Sequence, residues 1–298
     1  MLSDNNSSIY QNNATNNDLE TKCSFLYSSL KQNPELVQQK IISFVNVYKK
    51  RVERQEISSG TLKNYVKVLK FFCDMNNIHS INWKIIYRGL PPVKQHSDDR
   101  VPTLDEIKRL IDFDDRRIKV IVLTMISSGM RVGAWDYLKW KHVIPIQRGD
   151  IDNDEVVAAK LVVYGGEKEE YYSFITNEAY NAIKEWMDFR ASFGEKITGE
   201  SWILRDIWQK TSIRYSHNIG MATHPKQFKS VAVKTLIGRA LQIQGVRKPL
   251  DLKSGEKRHE FKTVHGFRKF FKTTCEKVMK SINVELLLGH NIGISFIL

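Results

Sequence analysis

The sequence predicts a mainly α-helical chain with one small antiparallel β-sheet, divided into a short helical domain and a larger helical domain built around that sheet. Three observations carry this expectation. Apolar residues recur at helical spacing, as in Leu62, Tyr65, Val66, Leu69 and Phe72. Strand-like runs are confined to "EVVAAKLVVYGG" and "EEYYSFIT", joined through Gly165-Gly166 as in a hairpin. Finally, "RGLPPVKQHSDDRVPT" combines paired prolines with polar residues and no periodicity, which marks a linker.

The elements follow in order. Residues 1–21 are dominated by Asn and Ser, with too little apolar content to offset the entropy of ordering, and are expected to form a disordered arm. A helical domain is expected over 22–90. Its first helix starts at Asn33-Pro34, an N-cap followed by a residue suited to the first helical position. A second helix follows the Ser58-Ser59-Gly60 break and carries Lys63, Lys67 and Lys70 on one face. Three such lysines can solvate a surface or meet phosphates. After a linker over 91–100, the larger domain occupies 101–298. Thr103 and Glu106 form a capping box. Val120–Met125 form a buried helical run that ends at Ser127-Ser128-Gly129. A helix is expected from Arg131 with Val132, Trp135, Leu138 and Trp140. Beyond the hairpin, helices are expected at Glu178–Phe189, Trp202–Trp208, Lys229–Gln244, Gly266–Met279 and Val284–Leu288.

Composition narrows the function classes. The 298 residues are 42% hydrophobic and 27% charged, with 46 Lys and Arg against 33 Asp and Glu, a formal charge of +13. That surplus points to a polyanionic partner, nucleic acid first, unless it only solvates the surface. The three cysteines, Cys23, Cys73 and Cys275, are far apart and form no C-x-x-C pair. They support neither a disulfide framework nor a zinc site and fit a reducing, cytoplasmic setting. No apolar run reaches the roughly 18 residues of a membrane span, and the N-terminus lacks a signal-peptide pattern.

Three short stretches carry chemistry. In "SSGMRVGAWDYLKW", Arg131 follows a helix-ending glycine, where a planar guanidinium can fork onto phosphate oxygens. In "VHGFRKFFKT", His265 and Arg268 lie three apart on one side of a helix, an imidazole beside a guanidinium. Nothing close by supplies the Cys or carboxylate ligands of a metal site, so neither metal nor cofactor is expected. In "INVELLLGHNIGIS", His290 follows a leucine-rich helix and a glycine.

Taken in that order, "SSGMRVGAWDYLKWKHV", "HGFRK" and "LLLGH" resemble the tyrosine recombinase (phage-type integrase) family, most closely integrases of archaeal type. The resemblance covers the larger domain, and the helical unit before it resembles the core-binding, SAM-like domain of such proteins. It implies a DNA breaking-and-rejoining enzyme of mobile elements that acts without metal through a phosphotyrosine intermediate. Double-stranded DNA and further recombinase protomers would be its partners, and it would be associated with the nucleoid. Arg131 and Arg268 would clamp the scissile phosphate, His265 would assist proton transfer, and His290 would donate a hydrogen bond to the phosphate. A hairpin lysine would protonate the leaving oxygen: Lys168 at the turn, or Lys160 on the preceding strand. Lys63, Lys67 and Lys70 would contact DNA.

Two departures qualify the resemblance. Ala134 stands where the family often has an acidic residue three positions after the first arginine, with Asp136 as a substitute orienter. The family's nucleophilic tyrosine lies beyond the final histidine, yet the eight residues after His290 contain none. Tyr164, Tyr171, Tyr172, Tyr180 and Tyr215 all precede the H-x-x-R motif and do not match it. The expectation is a recombinase catalytic domain cut short before its nucleophile, through a shortened chain, a frameshift or a split reading frame, and so monomeric and cleavage-deficient. The alternatives are a catalytically inactive DNA-binding relic or regulator of an intact integrase, and a type IB topoisomerase-like nicking enzyme.

Overall fold

The computed structural model describes residues 33–92, 100–148, 155–207, 226–249 and 262–292, with the single residues 21, 28 and 259. Residues 1–20 of the expected N-terminal arm, and Tyr215, therefore lie outside the described residues, as do residues 293–298, while Thr21, the arm's last residue, is helical. The chain falls into two compact units, 1–96 and 97–298.

In the first unit three helices are described over their full length, each opened by a polar cap, and Thr21 and Ser28 are also helical. The three are α1 (Pro34–Glu53), α2 (Ser59–Met75) and α3 (Trp83–Arg88). The side chains of Asn33, Ser58 and Asn82 accept from the backbone N–H of Leu36, Thr61 and Ile85, satisfying donors that a helix start leaves open. Val37, Ile41 and Val45 of α1 pack with Val66 and Cys73 of α2 and with Ile78, Ile81 and Ile86. Leu62 is also buried, but Tyr65 is exposed and meets Tyr48 edge-on. Lys63 and Lys67 are exposed on α2 and Lys70 is half-buried.

In the second unit, α4 (Leu104–Ile111) begins with the expected capping box between Thr103 and Glu106. Arg100 grips the Glu106 carboxylate with both terminal nitrogens, at 2.8 and 2.6 Å. Helix α5 (Arg116–Ser128) is apolar on nearly every side, and Ile118 and Val120–Met125 are all buried. An all-round apolar helix belongs at the centre. Around it lie β1 (Val143–Gln147), β2 (Val156–Val163), β3 (Tyr171–Thr176), α6 (Asn177–Ser192), α7 (Ser230–Ile243), α8 (Thr263–Cys275) and α9 (Ser281–Leu287). The sheet is antiparallel in the order β1-β2-β3, with Ile144, Lys160 and Phe174 aligned across it. Ala159, Leu161, Val163, Ser173 and Ile175 are buried on its inner face. The mainly helical fold with a small antiparallel sheet is thus as the sequence implies.

Three local expectations are corrected. The helix expected from Arg131 is a pair of 3-10 turns, Val132–Asp136 and Trp140–His142, separated by a bridge from Lys139 to Trp202. The helix expected at Trp202–Trp208 is absent over 202–207. The carbonyls it would use are taken elsewhere: Arg190 donates to Trp202 and Ile203, and the Trp186 indole donates to Ile203. The sheet has a third strand beyond the two expected, β1, which contains Pro145. It is an edge strand, where a missing N–H is tolerated.

Two left-handed glycines end helices α5 and α9. Gly129 (φ +63°) closes α5, and a Cβ there would come within 2.3 Å of the Phe271 ring and 2.8 Å of Leu288. Gly289 (φ +65°) follows α9, and a Cβ there would come within 2.5 Å of the Tyr171 ring. Gly245 has the same φ of +63° but open space around it. Gly129→Ala should therefore destabilise the protein by about 2–4 kcal/mol, backbone strain plus overpacking, and Gly245→Ala by only about 1–2. Equilibrium urea unfolding separates the two values, and equal losses would mean that packing at Gly129 contributes nothing. Gly289→Ala should resemble Gly129→Ala and also perturb the near-ultraviolet circular dichroism of Tyr171.

Candidate functional site

The site begins with the way α5 ends. Gly129 turns the chain into Met130, which is buried, and then into Arg131, whose backbone is extended (φ −72°, ψ 146°) and whose side chain is exposed. Arg131 is thus carried by a rigid helix end rather than by the first turn of a helix.

Helix α8 supplies the second group. His265 is exposed, while Arg268, one turn on, is 8% exposed. The Arg268 guanidinium donates to the Gly129 carbonyl at 2.6 Å and to the Leu288 carbonyl at 2.7 Å, and its Nη2 lies 2.9 Å from Nε2 of His290. Among the described residues no carboxylate bonds to it. Burial, and next the charge of Arg131, push its pKa below the ordinary arginine value. Two guanidinium groups lining one space favour an anion in it.

That space is a cleft of about 340 Å³ lined by Met125, Met130, Arg131, Val132, Val264, His265, Arg268 and His290. The four residues expected from three separate stretches of sequence therefore line one cavity. Lys160 and Lys168 are not among its lining residues. Lys168 is exposed in the β2–β3 turn. Lys160 lies on the outer face of the sheet, with its ammonium 4.9 Å from the centre of the Tyr172 ring. Asp136 does not turn toward the arginines through any hydrogen bond the structure shows. Its carboxylate accepts from the backbone N–H and hydroxyl of Ser230, at 2.6 and 2.9 Å, and so caps α7.

Sequence reasoning missed three participants. Glu285 of α9 accepts from Lys272 at 2.6 Å through one oxygen and pairs with Nδ1 of His290 through the other. The hydrogen bond from Lys272, and then that with His290, hold its carboxyl below the usual range. Tyr164 and Tyr171, set aside as nucleophiles, form an aromatic wall beside the arginines, with ring centres 6.3 Å apart. Burial raises the pKa of both hydroxyls, while Arg131 and Arg268 act in the opposite direction. The Tyr171 hydroxyl is buried, a poor position for a nucleophile. Among the described residues no three His, Cys, Asp or Glu side chains are grouped to hold a metal ion.

Chemically, the cleft can bind a phosphodiester, neutralise charge that develops on it, and offer imidazoles for proton transfer. No protein-family model matches the sequence, and no curated protein matches it. Solved structures do. The Tn1549 transposon integrase in complex with transposon right end DNA superposes with a TM-score of 0.56 at 12% identity, over 90% of this chain and 91% of that one. The XerH site-specific recombinase bound to palindromic difH substrate superposes with a TM-score of 0.53 at 15% identity. That match covers 85% of this chain and 65% of the XerH chain. At such identities the likeness is one of architecture: the chain has the fold of the tyrosine recombinases.

Proposed function

We propose that this protein is a DNA-binding member of the site-specific recombinases, with double-stranded DNA and further recombinase protomers as partners, whose cleft holds a backbone phosphate. One observation carries the reading: Arg131, His265, Arg268 and His290, from distant stretches of sequence, line one electropositive cleft on this fold. The two arginines clamp the non-bridging oxygens. His265 serves proton transfer, and Lys168 or Lys160 reaches the leaving oxygen from the hairpin once DNA is bound. The chemistry is metal-free strand cleavage and rejoining through a phosphotyrosine. The 298 residues contain no tyrosine after His290; for a polypeptide of this length, the binding half of that reading is the one proposed. The same observation favours a second reading, a regulator that occupies recombination sites in place of an active integrase.

Both readings are tested on a pool of nicked duplexes of randomised sequence, in which a cleaved strand end diffuses away and traps any covalent intermediate. The 298-residue chain should give no protein–DNA adduct that survives denaturation. An adduct would overturn the binding-only assignment, and its peptide map would identify the nucleophile.

Binding itself should be steeply salt-dependent. Arg131→Ala should weaken it about tenfold, the worth of one charge-assisted phosphate contact, without changing the unfolding midpoint. In the first unit, replacing Lys63, Lys67 and Lys70 together by Ala should lower the slope of log K against log salt by about 2.7, or about 0.9 per phosphate released. An unchanged slope would remove those lysines from the interface.

A further inference from the structure

The hydrogen bonds around His290 determine which of its nitrogens carries the proton. Glu285, held in its charged form by Lys272, can only accept, so Nδ1 must carry a hydrogen. Arg268 can only donate, so Nε2, 2.9 Å from its Nη2, must present a lone pair. Both constraints are met by one species, the neutral imidazole with its proton on Nδ1. A histidine whose partners were water would sample both tautomers.

The backbone explains why these side chains meet. Gly289 adopts the left-handed conformation after α9, its N–H bonds to the Leu286 carbonyl, and the N–H of His290 bonds to the Glu285 carbonyl at 3.0 Å. This is the Schellman helix ending, which brings the residue just past the glycine against the one four places before it. Ordinarily that pair is apolar. Here it is a carboxylate and an imidazole.

We infer that Glu285 is a positioning residue that, with Arg268, fixes His290 as the Nδ1-protonated tautomer, so that Nε2 is an acceptor toward Arg268 and a donor only after taking a proton from solvent. Before an anion binds, His290 steadies Arg268. When an anion enters, Nε2 gains a proton and turns to the anion, the Nδ1–H remains on Glu285, and the Arg268 Nη2–H that it had bound is released to a phosphate oxygen. The sequence resemblance assigns His290 a donor's role from the start, and the geometry makes that role conditional. The charged and titratable groups around the ring are Glu285 on α9, Arg268, His265 and Lys272 on α8, Arg131 beyond α5, and Tyr171 on β3 against Gly289. The tautomer assignment is independent of the proposed function, while its consequence for phosphate rests on that function.

The test uses the full chain labelled with 15N-histidine and long-range 15N–1H correlation at mildly alkaline pH, with His290 identified by the signal lost in His290→Gln. The unaltered protein should show a protonated Nδ1 and a bare Nε2. Glu285→Ala should shift the signal to the Nε2-protonated form or to a mixture, while Lys272→Met, which keeps the carboxylate, should preserve the original pattern. An Nε2-protonated ring in the unaltered protein, a measurement that needs no variant, overturns the inference. So does an unchanged signal in Glu285→Ala. Calorimetric binding to duplex DNA in two buffers of different ionisation enthalpy then reads the consequence: proton uptake that His290→Gln abolishes. DNA binding without that uptake overturns the conditional-donor step. No DNA binding at all, with the tautomer as stated, overturns the proposed function and leaves the role of Glu285 standing.

Discussion

The second unit depends on one buried cation. Arg268 lies at a point where an uncompensated charge would cost several kcal/mol, yet among the described residues no carboxylate pairs with it directly. Its charge is instead met by two main-chain carbonyls, Gly129 at the end of α5 and Leu288 at the end of α9. Both are helix C-termini, where unsatisfied carbonyls concentrate partial negative charge. Three helices are thereby tied at one point. Because the compensation is made of partial charges, the site keeps a positive field. A full carboxylate would have held the helices equally well and left the cleft nearly neutral.

The glycines answer to that constraint. For its carbonyl to reach Arg268, α5 must stop abruptly at residue 129 and lie against Phe271 and Leu288, which leaves no room for a side chain. For the Leu288 carbonyl and His290 to reach the same guanidinium, the chain must reverse at Gly289 across the face of Tyr171. Tyr171, with Tyr164 packed beside it, thus supports the turn. The phosphate-binding geometry and the packing of α5, α8 and α9 are one set of contacts.

How much of this the sequence displays depends on how local each cause is. Caps and helix stops are local, so Asn33, Thr103 with Glu106, and the end of α5 at Gly129 can be read directly. The spacing of His265 and Arg268 is a helical property and equally legible. The two 3-10 turns after Arg131 and the irregular path over 202–207 are not, because bridges and hydrogen bonds from Arg190 and Trp186, far away in sequence, decide them. Tyr164 and Tyr171 looked irrelevant because a hairpin fold-back, not their spacing, brings them beside the arginines. Glu285 is an intermediate case. A glycine ending a leucine-rich helix signals the helix ending that pairs the residues on either side of it, and that signal was present in "ELLLGH".

A carboxylate so close to Arg268 raises the question of why it does not quench the site. The answer lies in how its two oxygens are divided. One is taken by Lys272 at 2.6 Å, one turn along α8 from Arg268, and the other by Nδ1 of His290. With both oxygens engaged, Glu285 has no fork left to offer Arg268, and its charge is balanced by an ammonium rather than by the guanidinium. Lys272 is 40% exposed, so as an ion pair with Glu285 it adds little to stability. Its consequence is geometric. By holding Glu285 on the far side of the imidazole, it lets one acidic residue orient His290 without pairing with Arg268.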